Sequence, residues 1–127
     1  MKIERMEWGA FVARVQKKDF EATSLGWSSG FETDPYQIWH SSQSKIEGGS
    51  NHISFENAEA DKLIEQARVT LDEKKRNELY WKFQEILHEE QPYTFLFSSL
   101  SLDAVSKRVT NVIVHKAGFD IREWKIP

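Results

Sequence analysis

The stretch from Asn57 to Pro92 constrains the fold most. Asn57 is a suitable N-cap, Glu59 and Asp61 follow where the positive end of a helix favours acids, and Ala60, Leu63, Ile64, Ala67 and Leu71 recur at helical spacing. Asp72 then opens a second run, in which Leu79, Tyr80, Phe83, Ile86 and Leu87 make one stripe, and Pro92 stops it. Helical spacing alone explains that stripe, so it reads as core packing.

Upstream the periodicity changes. KIERMEW (2–8) alternates and reads as a strand, Gly9 to Asp19 sets Phe11, Val12 and Val15 against Arg14, Lys17 and Lys18 as a short amphipathic helix does, and EATSLGW (21–27) reads as a buried strand. The expectation is a βαβ unit with a right-handed crossover, and ligands in open α/β sheets bind beyond the carboxyl ends of the strands, where GWSSGF falls. Residues 30–55 read as a long loop, so by length that loop is functional, covered by other parts of the protein, or both. Beyond Pro92, YTFLFSS and VTNVIVH (109–115) have strand composition, SLDAVSKRV fits a strand or a helical turn, and FDIREWKIP is too short to place. The expected fold class is α/β, a single region over 1–127 with a βαβ unit, a long loop, two amphipathic helices and short strands.

The totals limit function more than fold. A chain of 127 residues can bury one core without staples, and a net charge of −3 provides no field for a phosphate backbone, so nucleic-acid binding is not expected. The chain has no cysteine, which removes disulfides, thiolate nucleophiles and thiolate metal ligands. MKIERMEWGAFVARV lacks the apolar run of a signal segment, and Met1 is equally compatible with a start inside a longer protein.

Catalytic constellations are missing from the sequence. His88-Glu89-Glu90 lacks the second histidine a zinc protease helix needs, because Pro92 stands there. His40 and His52, with Glu47 between them, have no specific ligand spacing, and no G-x-S-x-G, P-loop or dinucleotide fingerprint is present. Glu32 and Asp34 flank a proline turn, where the plainer reading is that Asp34 orders the turn through its own backbone. No enzyme, metal or cofactor is expected.

Trp27 resists a purely structural account. It ends an apolar run, is followed by Ser28, Ser29 and Gly30, and offers a flat stacking face beside accessible backbone groups. Phe31, Tyr36 and Trp39 follow within the same loop, where large apolar side chains need cover.

The ordered segments IERMEWGAFVARVQKKDFEATSLGW, DPYQIWHSSQ, GGSNHISFENAEADKLIEQAR and DEKKRNELYWKFQEILHEEQPYTFLF cover nearly the whole chain. Together they resemble the extracellular solute-binding proteins of family 5, the oligopeptide- and dipeptide-binding components of ABC importers. The resemblance implies a carboxyl-terminal lobe portion of a periplasmic-binding-protein-like (class II) fold, located in the periplasm or outside the cell and membrane-associated in the full-length protein. It implies a peptide or other small solute as ligand and ABC permease subunits as partners.

By that resemblance Trp27, Ser28, Ser29, Gly30, Phe31, Glu32 and Asp34 line the ligand cleft. One departure stands out: peptide binders of the family carry an aspartate three residues after the matching tryptophan, pairing with the ligand's amino terminus, and this chain has Gly30 there. Glu32 or Asp34 is left to supply the charge, or the ligand is not a free-amine peptide; nickel chelates and sugars are other family ligands. A second expectation, from a different class, is a free-standing interaction domain that forms a homo-dimer through exposed aromatics.

Overall fold

The computed structural model describes residues 2–28, 34–115 and 117–126. By contacts the described residues fall into two units, one of residues 2–28 and 34–94, the other from Phe95 onward.

The first unit is built on a helical hairpin. Its helices are α1 (Trp8–Gln16), a single turn α2 (Tyr36–Trp39), α3 (Ala58–Val69) and α4 (Glu73–Glu90). Asn57 caps α3 as its sequence suggests, its Oδ1 accepting from the Glu59 and Ala60 N–H groups at 2.9 Å each. Asp72 does the same for α4 through the Lys75 N–H at 2.9 Å. The second helix ends where Gln91 turns left-handed (φ 45°) and donates its N–H to the Leu87 carbonyl, with Pro92 following as a stop.

Ala60, Ile64 and Ala67 of α3 are fully buried, and Phe83 and Leu87 of α4 are nearly so. The two alanines at i and i+7 let the helices approach, and Ile64 fills the space between. Trp39 and Phe55 complete this cluster from outside the hairpin, with their rings edge-on at 5.6 Å. Tyr36, Ile38, Ile53, Leu63, Ile86 and Tyr93 pack around it, half-buried.

The expected βαβ unit is not formed among the described residues. Its helix is present, beginning one residue early because the Glu7 carboxylate caps it, accepting from the Gly9 and Ala10 N–H groups at 2.7 and 3.2 Å. Those backbone donors hold the Glu7 carboxyl below its ordinary pKa. Residues 2–7 and 21–28, however, pair with no strand among the described residues, and Ile3 is 76% exposed. Alternation signals a surface with one wet face, but a strand exists only where a neighbouring backbone supplies its ladder.

Other strand expectations shrink for the same reason. YTFLFSS carries no ladder, and of 109–115 only β1 (Val114–His115) pairs, antiparallel with β2 (Gly118–Phe119), while Thr110 bridges to Lys125. Gly118 sits at φ 101°, a backbone conformation that side chains other than hydrogen disfavour. In this second unit a short 3-10 turn (Ile121–Glu123) is capped by Asp120, and His115 Nε2 lies 2.6 Å from the Glu123 carboxylate. No helix among the described residues is long and apolar enough to cross a membrane.

Residues 34–57 are also more regular than a loop. After α2 comes a 3-10 turn (Ser41–Gln43), and side chains tie the segment to α3: Asp61 accepts from the Ser41 N–H at 2.8 Å, and Ser41 Oγ accepts from the Asn57 N–H at 3.1 Å. Polar residues with no apolar period can still order a backbone when each hydroxyl or carboxylate finds an N–H.

Candidate functional site

Trp27, next to the end of residues 21–28, has 46% of its surface exposed. One face of the indole lies on His52, with ring centres 5.5 Å apart and planes 12° from parallel. Its N–H lies on the side of the Tyr93 hydroxyl. The Tyr93 ring in turn leans on buried Trp39, centroid to centroid 4.6 Å, so Trp27 is coupled through one tyrosine to the core. Burial raises the Tyr93 pKa, and the nearby Trp27 N–H opposes that rise.

His52 owes its place to the turn it sits in. Asn51 is fully buried, accepts from the Phe55 N–H at 2.8 Å and donates to the Phe55 carbonyl at 2.9 Å, closing residues 51–55 on themselves. Ser54 completes the turn with φ 56°. His52 Nδ1 is buried without a hydrogen-bond partner, and burial, with the nearby Lys18 ammonium, pushes the His52 pKa down. The neutral ring is therefore the form that lies against Trp27.

Lys18 reaches this turn from the end of α1. Its own φ is 58°, with Lys18 N–H bonded to the Val15 carbonyl and Asp19 N–H to the Arg14 carbonyl, the two-bond closure typical of a left-handed helix end. Glycine would fill that position with less strain. Lysine instead projects its ammonium onto the Ser44 carbonyl and, at 2.8 Å, onto Ser54 Oγ.

Asp34 is engaged on both oxygens. Its Oδ1 accepts from the Tyr36 N–H at 3.0 Å, which orders the turn through the backbone, and its Oδ2 pairs with Arg68 Nε at 3.1 Å. The Arg68 guanidinium also lies 4.4 Å from the centre of the Tyr36 ring, which stacks on its other side with His40 at 4.2 Å. His40 Nδ1 accepts from the Ser42 N–H at 3.1 Å, which leaves Nε2 to donate to Glu65 at 3.2 Å.

Of the other sequence candidates, Ser28 is exposed, whereas Ser29, Gly30, Phe31 and Glu32 lie outside the described residues. His40 and His52 serve separate clusters, and no group of three histidines or acids among the described residues could hold a metal ion. Sequence reasoning missed His52, Tyr93 and Arg68 as partners of the candidate site. Their separations from Trp27 and Asp34 along the chain carry no local period, so only tertiary contact reveals them.

This geometry can be set beside known proteins. No family model matches the chain. The oligopeptide-binding protein AppA of Bacillus subtilis is 39% identical over 128 residues, covering 98% of this chain and 23% of AppA. The structure of AppA in complex with a nonapeptide matches 99% of this chain with a TM-score of 0.75 at 31% identity, across 25% of its own length. The chain is homologous to the oligopeptide- and dipeptide-binding proteins, the solute-binding proteins of family 5. A second neighbour, the ABC transporter-associated periplasmic binding protein DppA of Helicobacter pylori in complex with the peptide STSA, matches 72% of the chain with a TM-score of 0.65 at 29% identity, over 19% of its own length. The chain thus spans about a quarter of the length of AppA, and its helices and small sheet agree with an α/β piece of such a lobe.

Proposed function

We propose that this family 5 chain is a carboxyl-terminal lobe portion, one region over 1–127, of a two-lobe substrate-binding component of an ABC importer. It binds and does not catalyse. The full protein works in the periplasm or at the outer face of the cell, closes on a peptide or peptide-like solute, and presents it to a membrane permease. The observation that carries this reading is the match of 99% of the chain to a binding protein holding a nonapeptide. Hinge closure is the expected mechanism, with the ligand favouring the closed arrangement by its differential affinity.

Within this reading Trp27 packs on the ligand with its free face, and residues 28–31 present main-chain groups. Asp34 would have to leave Arg68 to meet a ligand cation, so any cation contact falls first to Glu32. The second expectation, dimerisation through exposed aromatics, gains no specific observation.

The test is peptide titration of the two-lobe protein by calorimetry, with wild type and Trp27→Ala compared. A large aromatic anchor lost from a desolvated contact costs about 2 kcal/mol or more, so Trp27→Ala should weaken binding by about thirtyfold or more. Wild-type affinity in the variant would remove Trp27 from the site. Because Gly30 stands where peptide binders of the family carry an aspartate, amino-terminally acetylated peptides should bind within about threefold of free-amine peptides, and a loss above about tenfold would assign a carboxylate, Glu32 first, to the amine.

A further inference from the structure

The Trp27 ring is constrained at two points by residues distant from it in sequence. His52 covers one face with a near-parallel ring, and Tyr93, whose hydroxyl lies on the side of the indole N–H, flanks it. Both supports are themselves anchored. The Asn51 side chain closes the turn that carries His52, and Lys18 fastens Ser54 of the same turn to the end of α1. Tyr93 rests on Trp39 of the core. Nearly half of Trp27 is open to solvent.

A free tryptophan at the surface samples several rotamers, and a ligand that stacks on it has to select one. Immobilising a side chain on binding costs roughly 0.5–1.5 kcal/mol, which a ring already held does not incur, equivalent to about two- to twelvefold in affinity. We propose that His52 and Tyr93 are positioning residues for ligand recognition: they hold the Trp27 indole in a single plane and direction so that its free face is ready for the solute. This inference rests on the binding reading of Trp27 given above.

His52 supplies a flat face more than a hydrogen bond, since its Nδ1 has no partner. Phenylalanine should therefore replace it, and alanine should not. Tyr93 offers its hydroxyl to the indole, so Tyr93→Phe removes that polar group and keeps the packing against Trp39.

The experiment uses the two-lobe protein carrying His52→Ala, His52→Phe, Tyr93→Phe and Trp27→Ala, and His52→Ala with Trp27→Ala together. Peptide affinity is one readout. The second needs no ligand: acrylamide quenching of Trp27 fluorescence, taken as the difference from a Trp27→Phe protein. His52→Ala should weaken binding about three- to tenfold and raise quenching of Trp27, Tyr93→Phe should do so by a smaller factor, and His52→Phe should return both readouts to within about twofold of wild type. In the Trp27→Ala background His52→Ala should have no further effect on affinity.

If His52→Ala leaves quenching and affinity unchanged, or weakens binding equally with and without Trp27, the positioning role is overturned. If Trp27→Ala binds peptide as wild type does, the recognition reading itself fails and the positioning role fails with it. If Trp27→Ala binds weakly while His52→Ala binds normally, the positioning role alone is lost.

Discussion

Asn51 shows how one buried polar side chain can organise a segment without apolar periodicity. Its amide meets both the N–H and the carbonyl of Phe55, so residues 51–55 form a closed turn in which both Phe55 backbone groups are paired. The turn places Phe55 in the core and His52 beneath Trp27. Removing the amide strands both Phe55 groups in a buried setting, at roughly 1–3 kcal/mol each. Asn51→Ala is expected to lower unfolding free energy by about 2–4 kcal/mol, read from the denaturant midpoint at unchanged slope. A loss below about 0.5 kcal/mol would mean that water replaces the amide. Asp34 teaches a related lesson: a carboxylate beside a candidate site is already satisfied by Tyr36 and Arg68, so proximity in sequence to Trp27 does not make it free.

Among the elements, α3 and α4 carry the stability of the first unit and were legible in advance, because cap, period and stop agree along one segment. Ile64 is fully enclosed between the helices, with Ala60 and Ala67 beside it. Ile64→Ala should cost about 2–5 kcal/mol, the range for deleting a buried branched side chain and leaving a cavity. Asn57→Ala should cost only about 1 kcal/mol, the typical loss of an N-cap side chain. Thermal unfolding of the two variants checks the order, and an equal loss would contradict the assignment of Ile64 to the centre of the core. The element that sequence misreads is the pair of strands around α1. Alternation in KIERMEW and an apolar run in EATSLGW describe side chains, whereas a strand requires a partner backbone, and the described residues supply none.

For the whole molecule, the chain corresponds to about a quarter of AppA, and on the proposed two-lobe reading the cleft needs both lobes. A peptide that binds the two-lobe protein stabilises it by mass action, about 2.7 kcal/mol at a hundredfold excess over Kd. The same peptide should leave the thermal midpoint of this chain alone unchanged, because one wall of a cleft gives too little buried contact to offset the entropy of association. A saturable shift with the isolated chain would show that the ligand site is complete within these residues, against the two-lobe reading.

Sequence by itself determined α3 and α4, their caps at Asn57 and Asp72, the stop at Pro92, and the family, through ordered segments that cover nearly the whole chain. These are local or cumulative signals, set by the hydrogen bonds of a single turn or by many positions in register. Tertiary structure decided which aromatic of the Trp27 to Trp39 stretch serves the core and which faces solvent. Trp39 is enclosed by Phe55, Phe83 and Tyr93, while Trp27 keeps one face open above His52. Both are tryptophans in one turn-rich stretch, and nothing local distinguishes them. The difference arises from residues 16 to 66 positions away along the chain, whose approach depends on how the α3–α4 hairpin closes.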